Sequence, residues 1–167
     1  MHKAYKYRLY PNKSQEIILT KTLQLCSYLY NAALQERRDA YKINQLSISY
    51  KVQSCQLPFI KQDNTEYQEI YSQVIQNVLN RIDKAFDNFF RRVKNKETPG
   101  YPRFRSSKRY SSFTYPQFGW KLQGNHLVLS KIGSLKLKLH RPIKGNIKTI
   151  DIKKENNKWY AIFVCET

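Results

Sequence analysis

The chain has 167 residues, enough for one domain or two small ones with a real core, and it sets 30 Lys and Arg against 12 Asp and Glu for a formal charge of +18. Such an excess repels itself unless a polyanion accommodates it, so a nucleic acid is the first partner to consider. No stretch approaches the ~20 apolar residues of a transmembrane helix and the N-terminus lacks a signal-peptide core, so a cytoplasmic location is expected. Thirteen tyrosines, eight phenylalanines and two tryptophans interleave with the cations, as in Lys3-Ala4-Tyr5-Lys6-Tyr7-Arg8-Leu9-Tyr10 and Lys108-Arg109-Tyr110. That mixture offers base stacking and phosphate contact together. Cys26, Cys55 and Cys165 are odd in number and far apart, and His2, His126 and His140 are scattered. Neither a disulfide framework nor a metal site is expected from that spacing.

Residues 1–10 alternate, with Tyr5, Tyr7 and Leu9 on one side, which predicts a strand ended by Pro11. Asn12 and Gln15 form a capping-box pattern ahead of a helix from about Lys13 to Lys42, whose inward positions include Ile18, Leu25, Leu29, Ala32 and Ala40. Ser49 caps a short helix from Tyr50 to Leu57 that Pro58 is expected to close, and the polar run Gln62–Gln68 reads as a connection.

The stretch from Ile70 to Arg105 organises the chain. Ile70, Val74, Ile75, Val78, Leu79, Ile82, Ala85, Phe86, Phe89, Phe90 and Val93 keep a helical three-four spacing, so this face is expected to be buried. The opposite side carries Ser72, Gln76, Asn80, Arg81, Asp83, Lys84, Asp87, Asn88, Arg91 and Arg92, with charge thickening toward the C-terminus, where the helix dipole favours cations. Pro99, Gly100 and Pro102 then force a turn-rich path.

Beyond residue 110 the period changes to two. Strands are predicted at Phe113–Tyr115, Leu127–Leu129, Leu135–Leu139, Ile147–Ile152 and Trp159–Cys165, with turns at Gly124-Asn125, Gly133 and Asn156-Asn157. Strands at both ends of the chain with helices between predict an α+β fold. Its expected form is a small, partly open β-barrel from residues 1–10 and 111–167, with residues 11–110 as an inserted helical unit. Lys136 and Lys138 would face away from Leu135, Leu137 and Leu139, either as a basic wall or as charges that blunt an exposed edge.

Several motifs occur in a fixed order: Ala4 to Asn12, Tyr30-Asn31, Ala85-Phe86-Asp87-Asn88-Phe89-Phe90-Arg91, Gly100-Tyr101-Pro102-Arg103-Phe104-Arg105, Ser112 to Gln117, Lys131-Ile132-Gly133 and Leu139-His140-Arg141. In combination they resemble the N-terminal part of TnpB, also called OrfB, the transposon-encoded proteins related to type V CRISPR effectors. The resemblance covers essentially the whole chain. It implies a wedge-like barrel carrying a helical recognition lobe, a guide RNA from the transposon end and double-stranded target DNA as partners, and RNA-guided DNA cleavage beside a short motif. In that family a RuvC-like nuclease domain follows, with three carboxylates that hold divalent metal and a zinc-binding insertion. The present sequence ends at Glu166-Thr167 with neither a carboxylate triad nor Cys-x-x-Cys, so it is expected to be the recognition half and not to cut DNA by the family's mechanism. The other readings are a stand-alone DNA-binding regulator and the N-terminal fragment of an intact nuclease.

The resemblance places DNA-motif reading on Tyr50, Ser54, Gln76 and Thr114, and on Ser72, where the family can carry Lys. Gln76 can pair with an adenine edge, and the hydroxyls can reach base edges or phosphates, although Gln76 is also an ordinary residue for an exposed helix face. Density and sign make Arg91, Arg92, Lys94, Arg103, Arg105, Lys108 and Arg109 candidates for phosphate contact. Lys136, Lys138, Lys144, Lys148, Lys153 and Lys154 would line the RNA side of the barrel.

Overall fold

The computed structural model of the protein describes all of residues 1–167. Strand β1 (His2–Tyr10) buries Tyr5, Tyr7 and Leu9 on one face, as the alternation requires. Helix α1 (Lys13–Asn44) begins on the predicted capping box: Asn12 Oδ1 accepts from the Gln15 N–H at 2.8 Å, and Gln15 Oε1 accepts from the Asn12 N–H at 3.0 Å. The helix runs unbroken to a left-handed Gln45. Leu25 and Leu29 point inward as expected and Ala40 is half-buried, but Ile18 and Ala32 are exposed and Leu19, Leu23, Ala33 and Leu34 take the inner positions. Thr22, Ser27 and Arg37 are buried on the same side. Polar residues inside the stripe blur the periodicity on which the expectation rested.

Helix α2 (Tyr50–Ser54) has Ser49 as its cap, but it stops short of Pro58. Pro58 instead lies in the first turn of α3 (Leu57–Asp63), where its missing N–H has no intrahelical partner to lose. The polar connection contains a 3-10 turn at Thr65–Glu69, which carries the buried Tyr67. Helix α4 (Ser72–Lys94) is the central helix. It buries Val74, Ile75, Val78, Leu79, Ile82 and Phe86, yet its last turns do not follow: Phe90 is 58 % and Val93 49 % exposed. The expectation that the whole apolar face is buried therefore fails at the C-terminal end, where the chain turns away through Pro99 and Pro102.

The remaining strands are β2 (Ser112–Tyr115), β3 (Trp120–Gln123), β4 (His126–Leu129), β5 (Gly133–Leu137), β6 (Asn146–Glu155) and β7 (Lys158–Glu166). β3 was not legible in the periodicity, and β5 ends at Leu137 instead of Leu139. All seven strands form one antiparallel sheet in the order β2-β6-β7-β1-β5-β4-β3, so β1 is central and pairs with the C-terminal strand. Laid flat, six strand spacings would separate the two edge strands by about 29 Å. The link from Tyr115 to Trp120 can span only about 18 Å. The sheet must therefore curl, and the Tyr115 hydroxyl donates to the Ser130 carbonyl at 2.8 Å across the inside of that curl. No ladder joins β2 to β3, so the sheet is not closed into a barrel: the α+β class holds, and in place of the partly open barrel expected there is a curled open sheet. The buried faces of the sheet, α1 and α4 belong to one continuous apolar cluster.

A candidate nucleic-acid groove along the central helix

Helix α4 runs beside edge strand β2, and the contact is made by a polar residue. Arg81 donates from Nη1 to the Ser112 carbonyl at 2.8 Å and from Nη2 to Thr114 Oγ1 at 2.8 Å, while its Nε donates to Asn77 Oδ1 at 3.2 Å. Its guanidinium also lies over the Tyr110 ring at 5.4 Å. Thr114 Oγ1 in turn donates to Asp151 Oδ1 at 2.5 Å. Burial pushes the Tyr110 hydroxyl well above its ordinary pKa, and the nearby Arg81 charge opposes that shift only in part.

Three cavities follow the polar stripe of α4 and share lining residues. The first, of about 380 Å³, is lined by Gln73, Gln76, Asn77, Asn80, Gln117 and Lys148 with Pro116, and no apolar side chain contributes to it beyond that proline. Asn77, Asn80 and Pro116 also line the second, of about 600 Å³, together with Arg81, Lys84, Thr114, Thr149 and Asp151. Arg81 and Lys84 continue into the third, of about 710 Å³, where Arg92, Arg103, Arg105 and Arg109 join them. The three make one groove from Gln73 to Arg92, about 28 Å long at helical rise. One end is rich in amides and the other in cations. No carboxylate lines the cationic end, and none of its six cations is ion-paired.

The cationic wall is held in place by α1. Asn31 Nδ2 donates to the Arg105 carbonyl at 2.7 Å, Asn31 Oδ1 accepts from the Arg105 N–H at 2.8 Å, and Ser27 Oγ donates to the same carbonyl at 2.9 Å. Arg105 lies over the Tyr30 ring at 5.2 Å, and Arg38 packs over both Tyr101 and Phe104. An otherwise irregular segment is thereby fixed against a helix.

The structure distributes the expected motif-reading residues unevenly. Gln76 is exposed in the amide end. Thr114 lines the middle of the groove but is only 8 % exposed, and its hydroxyl is already engaged by Asp151 and Arg81. Ser72 is exposed in the first turn of α4 and lines none of the three cavities. Tyr50 and Ser54 lie on α2, also outside the groove; the Tyr50 N–H donates to Asp83 at 3.1 Å, and the Ser54 hydroxyl donates to the Lys51 carbonyl at 3.0 Å.

Among the expected phosphate ligands, Arg92, Arg103, Arg105 and Arg109 converge on the groove, whereas Arg91, Lys94 and Lys108 are exposed outside its lining. Lys136 is exposed on β5. Lys138 and Lys144 are exposed beyond that strand, and Lys148 reaches the amide end while pairing with Glu166 at 3.2 Å. Lys153 and Lys154 are half-buried on β6, with Lys154 over the Trp159 ring at 5.6 Å. Asn80, Arg81, Lys84 and Asn88, placed on the polar side of this helix by its period, line the groove although none was expected as a ligand contact, and Gln73, Asn77 and Gln117 join them without having been expected there. The helical residues among them recur at three- and four-residue intervals along one stripe, so the same period could have exposed Gln73 and Asn77.

The family model HTH_OrfB_IS605, described as a helix-turn-helix domain, matches residues 1–45. Over those residues the structure has one strand and one unbroken helix, not two helices joined by a turn. "Putative RNA-guided DNA endonuclease InsQ" of Escherichia coli (strain K12) is 26 % identical over 98 % of the chain, and a "Putative RNA-guided DNA endonuclease" of Streptomyces pristinaespiralis is 28 % identical over 98 %. The chain spans 40 % and 41 % of the length of these two relatives. A chain from a cryo-EM structure of a Cas12f1–sgRNA–target DNA complex shares the fold, with a TM-score of 0.54 and 18 % identity over the whole of this chain and 48 % of the other. No helix is long and apolar enough to cross a membrane.

Proposed function

We propose that these residues form a TnpB-like N-terminal region and bind nucleic acid as the recognition part of an RNA-guided system, with the α4 groove as the site for a short duplex DNA motif. The observation that carries this reading is the groove itself: six unpaired cations line one end and five amide side chains line the other. Cations hold phosphates without regard to sequence, whereas side-chain amides can form paired hydrogen bonds to base edges. At about 28 Å, the stripe matches about eight base pairs of duplex.

Gln76 is the foremost base-edge reader in this proposal, since it is exposed and its amide is unengaged. Thr114 acts through Arg81, which it helps to fix. Tyr50, Ser54 and Ser72 contribute only where the DNA extends beyond the groove. The guide RNA lies on the sheet side, along Lys136, Lys138, Lys144 and Lys153, whereas Lys154 faces the other side of β6 over the Trp159 ring. The same reading divides the chain into a sheet unit, residues 1–10 with 111–167, and an inserted recognition unit, residues 11–110. The role proposed for these 167 residues is binding and orientation, with cleavage assigned to the part of the relatives' length that they do not span.

The test is to purify the chain with its bound nucleic acid, sequence what remains attached, and follow retention as salt is raised. Enrichment of one structured RNA supports guide binding. A motif-specific DNA footprint without RNA favours the stand-alone regulator instead. Absence of nucleic acid at low salt refutes both.

A further inference from the structure

The turn between β2 and β3 presents an exposed aromatic side chain on a backbone that is held in place. Phe118 is 60 % exposed, yet three hydrogen bonds tie down the turn around it. Its N–H donates to Gln73 Oε1 at 3.2 Å, Trp120 Nε1 donates to the Gln117 carbonyl at 3.0 Å, and the Ser130 N–H donates to the Gly119 carbonyl at 2.7 Å. Gly119 has φ +90°, and a Cβ there would meet the Tyr71 ring at 2.5 Å. That ring is itself stacked on Tyr115 with centroids 5.5 Å apart. Gly119 is thus required both by its backbone conformation and by close approach.

A loosely held turn could fold the phenyl ring onto the protein and remove apolar surface from water. This one fixes the backbone of Phe118, next in the chain to Pro116 and Gln117 at the amide end of the groove, and leaves the ring in solvent. We propose that Phe118 is a pre-positioned stacking residue that receives the face of a nucleobase from the strand occupying the α4 groove. Gln73 couples the two parts, because it lines the groove and holds the Phe118 amide. The subsite selects for an unstacked base and tolerates any base identity, since every base offers a π face. This inference rests on the reading of the groove as a nucleic-acid interface.

The test compares wild-type protein with Phe118→Ala, Phe118→Tyr and Phe118→Trp, titrated against a DNA duplex carrying a single-stranded overhang over a salt series. Stacking on an aromatic ring is worth about 1–3 kcal/mol per base, so F118A should weaken binding by about 5- to 150-fold. The slope of log affinity against log salt should stay unchanged, because no phosphate contact is lost. F118Y and F118W should bind within about threefold of wild type, and all variants should melt alike, since the side chain is exposed. Wild-type affinity in F118A, or failure of both aromatic variants to restore it, overturns the proposal. Absence of salt-dependent binding by the wild-type protein instead overturns the groove assignment beneath it.

Discussion

Replacing Arg37 by Met should be among the most damaging single changes outside the apolar core. Arg37 is 7 % exposed, donates from Nε to Gln53 Oε1 at 2.8 Å and from Nη2 to Asp83 Oδ1 at 2.6 Å, and lies over the Phe86 ring. Asp83 also accepts from the Tyr50 N–H, and Gln53 Nε2 donates to the Ala33 carbonyl, so one guanidinium ties α1, α2 and α4 together. Removing one partner of a fully buried pair costs about 3–5 kcal/mol. The Asp83 side chain is 36 % exposed and water can solvate it, which places the expected cost at the lower end, about 3 kcal/mol. For a chain of this size that corresponds to a fall in Tm of about 6–12 °C. Thermal melts of Arg37→Met, Asp83→Asn and the double variant give the coupling as well as the total, and the double variant should cost less than the sum of the singles. A fall below about 2 °C for R37M, or strict additivity, would show that the network does not anchor α2.

Arg92→Gln and Arg103→Gln should each weaken DNA binding and reduce the magnitude of the salt slope by about 1, without altering sequence preference; a changed preference would contradict their backbone role. Asn31→Ala removes both hydrogen bonds to the Arg105 backbone. Hydrogen exchange should accelerate across residues 100–109 while the sheet amides stay protected, and uniform acceleration would mean a global effect. Alkaline pH should destabilise the fold. Burial pushes the Cys26 thiol from 9.0 to about 12 and the Tyr67 hydroxyl from 10.0 to about 12. The unfolded chain releases these protons first, so the stability is fully present below about pH 9 and is lost as pH rises toward 12, which urea melts across that range would register.

Where burial alternates cleanly, the sequence reports the fold directly. Tyr5, Tyr7 and Leu9, the Asn12/Gln15 cap and the Val74–Phe86 face all lie where period and capping chemistry place them. Pairing of the first strand with the last was legible from strand patterns at both ends of the chain. The failures have local causes. Thr22, Ser27 and Arg37 are buried polar residues that obscure the inner face of α1. Pro58 can end one helix or begin the next, and sequence alone does not distinguish the two. Trp120–Gln123 is an edge strand with no β-branched residue, and its two apolar side chains, Trp120 and Leu122, are only half-buried, so it gives a weak strand signal; the curl of the sheet is set by the length of the link between its edge strands.

The candidate site was half legible for a related reason. Arg92, Arg103, Arg105 and Arg109 stand out by density of charge, but convergence is tertiary: Asn31 brings Arg105 to α1, and Arg81 brings α4 to the edge of β2. Phe118 carries no sequence signal as a ligand-facing residue. Its exposure becomes informative only once Gln73, Tyr71 and Trp120 are seen to hold the turn.

The central claim is that nucleic acid occupies the α4 groove, and ultraviolet cross-linking of the chain to its bound nucleic acid, followed by peptide mass spectrometry, tests it most directly. Cross-links should concentrate in peptides spanning residues 73–92 and 101–118, with a second set on the sheet side around Lys136 and Lys153. Cross-links confined to the exposed face of α1, with the groove peptides unmodified while binding persists, would contradict the account.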